Sequence, residues 1–443
     1  MKDLRNQLSE KKICILQRDF QFIQAIFIDE FSMVPLVVLA YLNKILQEVF
    51  WDRSQIMFAG IPIIISGDGY QLPCVQGKGI LSPPENVPIL LEETFNHFRN
   101  NTFYLELSKS VRQGSDLSYS DILMRLRTAQ CTQEDVDILN TRFYPDLSRL
   151  TEEGRHWSKA PFLTGRNTTA HDMNAMAVHK NGHTLGAFCV HNLPILKKWE
   201  SLEKKKEKID KFFKKSGRTS SSRKGFTPES SLYVYPGMPV MLRANICPAV
   251  GLSNGSVGFV RAVRSRNMNP LETNEECRDR ILSSDPEKSS FVPSLIVDFK
   301  NYYTGKISVL RPLAIMEDPG KIRTTVSIDP QVVGGVKCLP LSPAHAMTMH
   351  KCQSLTIPFC IIDPKEPFQM GQLYVAFSRA PKLAHIALTE MVTLRSLNKF
   401  RRACSIIGDN LSLLQKTSRS FEPFQSFIKK KENEFLSNLH CEE

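Results

Sequence analysis

Ala25-Ile26-Phe27-Ile28-Asp29-Glu30 reads as an apolar strand that stops on two carboxylates. A run of four apolar residues is too short for a helix and is the pattern of a strand covered on both faces, as in a parallel sheet. At the C-terminal edge of such a sheet, an acid pair can hold a magnesium ion through its first member and polarise a water with its second. A strand that simply ends in a polar turn is the structural alternative, and this segment alone does not choose between them.

Working outward, Pro35–Phe50 reads as a helix with Pro35 in its first turn, where a missing N–H costs nothing. Ile61–Ser66 is a second apolar strand, and it runs into Gly67-Asp68-Gly69-Tyr70-Gln71-Leu72-Pro73. A glycine-rich turn at that edge can set the Gln71 amide against a phosphate or its attacking water, although an ordinary glycine turn reads the same way. Thr102–Leu107 reads as a further strand and Leu117–Leu126 as a helix. This is α/β order, which implies a parallel sheet covered by helices. After that strand comes Ser108-Lys109-Ser110-Val111-Arg112-Gln113, where Arg112 can point into the same cleft to neutralise a phosphoryl group or can be a plain surface residue.

The texture then changes twice. Lys197–Lys224 holds twelve Lys/Arg and four Asp/Glu, a local excess of +8 out of a formal net charge of +12. Its apolar residues Trp199, Leu202, Ile209, Phe212 and Phe213 can line one side of a short helix, but the composition demands no packed core, so the stretch reads as a mobile basic insertion. Beyond it, Tyr233–Arg243, Gly258–Val263, Leu295–Phe299 and Ile307–Leu310 read as strands, with Asn254-Gly255 as a tight turn. They make a small β-barrel or β-sheet module. From about Leu339, α/β order resumes. Ala346–Thr356 and Gly371–Ala380 read as two helices with a strand at Phe359–Asp363 between them, and His385–Leu388 reads as the next strand. The tail from Leu394 reads as helical and peripheral.

At 443 residues the chain is too long for one small module, and with 42% apolar and 23% charged residues it is not disordered as a whole. The basic balance, pI about 9.1, favours a polyanionic partner. Eleven cysteines without a CxxC pair argue for neither a disulfide framework nor a zinc site. The N-terminus lacks the apolar core of a secretory signal, and no apolar run reaches membrane length, so a soluble intracellular protein with no membrane partner is expected.

The ordered set DEFSM, GDGYQLP, the VRQ after LELSKS, PGMPVMLRAN with GLSNGSVGFV, LPLSPAHAMTMHKCQSLT and GQLYVAFSRA resembles the Pif-one branch of superfamily-one DNA helicases, relatives of RecD. The resemblance spans about Ala25 to Leu388, and its last two elements are the most specific. It implies an α/β protein with two RecA-like lobes, the first truncated, and a small β-barrel inserted in the second. Residues 1–100 would form the truncated first lobe, 101–180 the first part of the second, 181–232 the mobile basic insertion, 233–335 the β module, 336–393 the rest of the second lobe and 394–443 a helical tail. It further implies a five-prime-to-three-prime motor that uses ATP and magnesium on single-stranded DNA and DNA junctions, in repair, recombination or telomere maintenance. Such a protein would be nuclear or mitochondrial in a eukaryote. By resemblance Asp29 is the magnesium-linked acid and Glu30 the residue that activates water. Gln71 is the γ-phosphate sensor, and Arg112 and Arg379 are the paired arginines presented to the nucleotide. His350, Lys351, Gln353 and Thr356 lie in the element that couples nucleotide state to the DNA track.

The departures are as informative. Members of that branch carry a GxxxxGK[ST] loop whose N–H groups and lysine hold the β- and γ-phosphates, and no such run occurs in the 443 residues. Asp29 stands close to Met1, so truncation relative to the family is expected, with the missing loop encoded upstream. The competing expectation is a non-catalytic, truncated or transposon-derived remnant that binds single-stranded DNA. Ser354 stands where the family usually has glycine, and Gly69-Tyr70 where two aromatics are common.

Overall fold

The computed structural model describes residues 8–84, 86–107, 110–154, 157, 159–185, 188–191, 193–194, 201–215, 231–247, 252–264, 294–300, 314–318, 321–333, 336–365 and 367–418. Helix α1 (Glu10–Phe20) leads into β1 (Ile26–Ile28), followed by α2 (Leu36–Val49), β2 (Ile63–Ile65) and α3 (Ile89–Asn101). β1 and β2 pair in parallel, with Ile26 opposite Ile63 and Ile28 opposite Ile65. α2 turns Leu36, Leu39, Ala40, Leu46 and Val49 inward, a helical repeat of apolar side chains that covers one face of the pair. Pro35 sits just before the helix as its N-cap. The expected double-faced burial holds for one face only: Phe27 is 76% exposed and Ile64 44%.

The second lobe contains α4 (Leu117–Arg127), α5 (Gln133–Asn140) and the short α6 (Leu150–Glu153) before its first strand, β3 (Phe162–Thr164), and then α7 (Asn167–Leu185). The chain leaves through β4 (Phe188–His191), β5 (Leu193–Pro194), α8 (Leu202–Lys215) and β6 (Ser231–Val234). A six-stranded antiparallel sheet is built from β7 (Pro239–Leu242), β8 (Val257–Arg264), β9 (Ser294–Lys300), β10 (Ala314–Asp318), β11 (Lys321–Ile328) and, after β12 (Gln331–Val333) and β13 (Val336–Cys338), β14 (Leu341–Pro343). Its order is β10-β11-β9-β8-β7-β14. Val240, Val260, Leu295 and Val297 fill its core. The chain then re-enters the parallel sheet as β15 (Ala346–Thr348), β16 (Cys360–Ile362) and, after α9 (Gln372–Phe377), β17 (Ile386–Leu388). That sheet runs β15-β3-β16-β17 with every pairing parallel. Because β3 and β15 are neighbours, the whole antiparallel module is an insertion between two adjacent strands of the second lobe. Helices α10 (Leu394–Leu397) and α11 (Arg401–Ser418) follow.

Five expectations need correction. Ala346–Thr356 is a strand followed by turns, since its first three residues are buried on both faces as a parallel strand requires. Thr102–Leu107 forms no strand, and its Leu105 and Leu107 face outward at 60% and 81% exposure. Tyr233–Arg243 is two strands, broken at Gly237, whose φ of +84° turns the chain. The basic insertion has a packed part, because Ile209 on α8 is fully buried. The described part of the tail, residues 394–418, is not peripheral, since Cys404 and Leu414 of α11 are buried and Cys404 packs with Tyr70 of the first lobe. The expected strand at Ile307–Leu310 lies outside the described residues.

Candidate functional site between the lobes

The ladder continues past β1 and β2, with the Ser66 N–H donating to the Ile28 carbonyl at 2.8 Å. Beyond it, Asp29 Oδ1 accepts from the Ser66 hydroxyl at 2.6 Å and from the Glu30 N–H at 2.9 Å. Glu30 itself is left-handed, φ 53° and ψ 48°. This conformation costs a non-glycine residue of order 1 kcal/mol or more and is found where the surroundings hold it in place. Gly67 makes the crossing possible, since a Cβ there would lie 2.8 Å from the Phe31 backbone nitrogen.

What holds Glu30 comes from the other lobe. Gln353 Nε2 donates to Oε2 at 2.8 Å, and the Ser354 hydroxyl donates to Oε1 in a short bond. Both carboxylate oxygens of the candidate water-activating residue therefore rest on the turn after β15. Ser354 is also left-handed, φ 66°, so the position normally taken by glycine is filled here by a residue whose side chain reaches across the cleft.

Gln71 lies beside the same cleft. Its Oε1 is buried and has no hydrogen-bond partner among the described residues. Its backbone packs on Gly371, where a Cβ would sit 2.6 Å from the Gln71 carbonyl carbon. Gly371 has φ +79° and caps α9, so two requirements select glycine there. Arg112 Nε donates to Thr356 Oγ1 at 3.0 Å and its Nη1 to the Ser378 carbonyl at 3.0 Å. Its neighbour Gln113 donates to the Ser378 and Ala380 carbonyls. Burial, followed by the nearby charge of Arg379, pulls the Arg112 pKa below its ordinary value. Arg379 is 2% exposed and donates to the Val375 carbonyl at 2.8 Å and the Ser378 hydroxyl at 2.8 Å. The two arginines are thus brought together, with Arg379 bonded to its own helix.

The remaining expected residues divide into two sets. Gln353 and Thr356 bond to Glu30 and Arg112 as described, whereas His350 and Lys351 look elsewhere. His350 Nε2 is 3.0 Å from Gln369 Oε1, and its ring stacks on Phe368 at 6.4 Å between centroids. Burial lowers the His350 pKa. Burial, with the charge of Arg243 adding to it, pushes the Lys351 ammonium down to about 8.

Sequence reasoning missed a bridge. Asp68 of GDGYQLP accepts from Arg127 Nε at 3.0 Å through Oδ2, from the Tyr374 hydroxyl at 3.0 Å and from the Tyr70 N–H at 3.0 Å. Arg127 also lies over the Tyr70 ring, 4.4 Å from its centroid. One carboxylate of the first lobe thereby joins α4 and α9 of the second. Phe368, 57% exposed beside His350, was missed as well, because a single aromatic in a loop carries no periodic signal.

Two parallel-sheet lobes thus meet across an acid pair, a glutamine and two arginines. A family model described as PIF1-like helicase matches residues 4–135. Protein 030L of Invertebrate iridescent virus 6 is 24% identical over 88% of this chain and 76% of its own length. The ATP-dependent DNA helicase PIF7 of Trypanosoma brucei brucei is 24% identical over 87% of this chain, which spans 37% of that protein. In fold, the chain is similar to the crystal structure of Pif1 helicase from Bacteroides in complex with ADP-AlF3 and ssDNA, with a TM-score of 0.53 at 22% identity over 90% of this chain and 79% of that one. The chain is thus similar to the PIF1-like helicases in sequence over residues 4–135 and to a Pif1 helicase in fold over most of its length.

Proposed function

We propose that this chain is the body of an ATP- and magnesium-dependent, five-prime-to-three-prime DNA helicase that acts on single-stranded DNA and junctions, in repair, recombination or telomere and genome maintenance. In a eukaryotic host its place would be the nucleus or the mitochondrion. The observation that carries the reading is the contact of Gln353 and Ser354 with both oxygens of Glu30. It ties the candidate hydrolytic acid to the turn that also holds His350 and Lys351.

The residues present fit one end of the cofactor. Magnesium is usually held by one or two carboxylates plus the nucleotide's own phosphates, and Asp29 shows no bond at Oδ2 among the described residues. Gln71 Oε1 is a buried acceptor in want of a donor, which a reacting water would supply. The other end does not fit, because nothing in the sequence forms the GxxxxGK[ST] cradle. That observation favours a second reading for this polypeptide by itself, a single-strand-binding remnant without turnover.

Single-strand binding is common to both readings, and Lys351 gives it a pH signature. An ammonium whose pKa is lowered to about 8 is charged below that pH and loses its attraction for phosphate above it. Affinity for a short single strand is expected to weaken about three- to tenfold between pH 7 and 9, roughly one lost phosphate contact. Lys351→Arg, which stays charged throughout, should flatten the profile. A wild-type profile that is already flat would remove Lys351 from the DNA track.

A further inference from the structure

Helix α8 departs from the expectation of a loose basic loop in a way that gives it a role. Its Ile209 is fully buried in the core of the antiparallel module, with Leu232, Val234, Val240 and Val297. The helix is therefore fixed in rotation about its axis. Lys204, Lys208 and Lys211 follow at i, i+4 and i+7, and at 100° per residue they fall within about 60° of one another. All three are exposed. Ile209 lies on the far side of the helix from the row. Glu203, Glu207 and Asp210 border one edge of it, with Glu207 close enough to Lys204 and Lys211 to offset part of their charge. α8 as a whole carries seven lysines against three acids, a net +4.

The geometry points to a second nucleic-acid site on α8: the row Lys204, Lys208 and Lys211 takes the phosphate backbone of duplex DNA. This rests on the DNA-handling function proposed above and adds to it a contact away from the inter-lobe cleft. Two features select the duplex. The row offers ammonium groups alone, and lysine meets a phosphate as a point charge without reading bases. A fixed row about 10 Å long also gains most from a stiff polyanion, and a duplex carries one charge per roughly 1.7 Å of axis. The acids along one edge set the approach, since a backbone lying on that side would meet carboxylates. The module that carries α8 passes the chain from β14 through Ala344 and His345 to β15, and so to the turn at His350–Thr356. A duplex held on α8 is thus on the module that leads into the proposed single-strand track.

The test is salt dependence, which counts phosphate contacts. A Lys204→Ala, Lys208→Ala, Lys211→Ala triple variant and the wild-type chain are titrated with a short blunt duplex and with a single strand of equal length, from low to moderate salt. All three side chains are exposed, and a circular-dichroism melt checks that the variant folds. The log–log slope for the duplex is expected to become shallower by about 2 to 3, three contacts at roughly 0.9 each, with the single-strand slope moving by less than one. An unchanged duplex slope would overturn the site, and so would an equal loss on both probes, which would assign the row to single strands. If the wild-type chain bound no single strand at all, the proposed function would fall. If single-strand binding stood while the duplex slope did not move, only the α8 row would.

Discussion

Phosphate release by the 443-residue chain, even at saturating single-stranded DNA, is expected to be no faster than that of its Glu30→Gln variant. The reason lies in where charge develops during phosphoryl transfer. The β- and γ-oxygens need fixed N–H donors and a lysine, and deleting a single such donor typically costs about 10²–10³ in rate. A missing GxxxxGK[ST] loop removes several at once. The inter-lobe contact works in the same direction, because Gln353 and Ser354 already occupy one acceptor site on each oxygen of Glu30, the residue proposed to polarise a water. A coupled phosphate-release assay decides the matter. A DNA-stimulated rate clearly above that of Glu30→Gln would show that other residues hold the phosphates, and the remnant reading would be withdrawn.

The second large effect concerns stability. Asp68→Ala is expected to lower the unfolding free energy by about 3–5 kcal/mol, the usual consequence of leaving one member of a largely buried ion pair without its partner. The Arg127 and Asp68 side chains are 16% and 17% exposed, so solvent screens the pair only weakly. Burial alone would depress the Arg127 pKa, yet Asp68 reverses the balance and holds it above the ordinary value. The substitution also strips a partner from the Tyr374 hydroxyl, which burial has made harder to ionise. A matched Asp68→Leu, Arg127→Leu double variant should recover much of the loss, since it leaves no orphaned charge. Urea unfolding of the wild type, Asp68→Leu, Arg127→Leu and the double variant supplies the cycle. Additive losses would mean that Asp68 and Arg127 stabilise the lobes independently rather than as a bridge.

The sequence makes some of these parts plain and hides others for identifiable reasons. β1, β2 and α2 are legible because each carries a distinct signal, either a short apolar run or helical spacing behind Pro35. The acid pair and Gln71 are legible because each follows such a strand. Ala346–Thr348 is misread as helix because a run buried on both faces has no period of its own. Asp68 and Arg127 are 59 positions apart and share no pattern, so only the fold reveals that they touch. The left-handed backbone of Glu30 and Ser354 is equally silent, since neither residue type announces it. Ile209 gives a faint signal, one of a few apolar residues among many lysines, which composition alone reads as solvated.

In the proposed function, single-stranded DNA runs along the turn that grips Glu30. The most direct measurement is photo-crosslinking of a short bromodeoxyuridine-bearing single strand to the chain, followed by peptide mapping. Crosslinks are expected within Ala346–Thr356 and at Phe368, where an exposed ring beside His350 can stack on a base. Crosslinks confined to other parts of the chain, with that turn untouched, would contradict it.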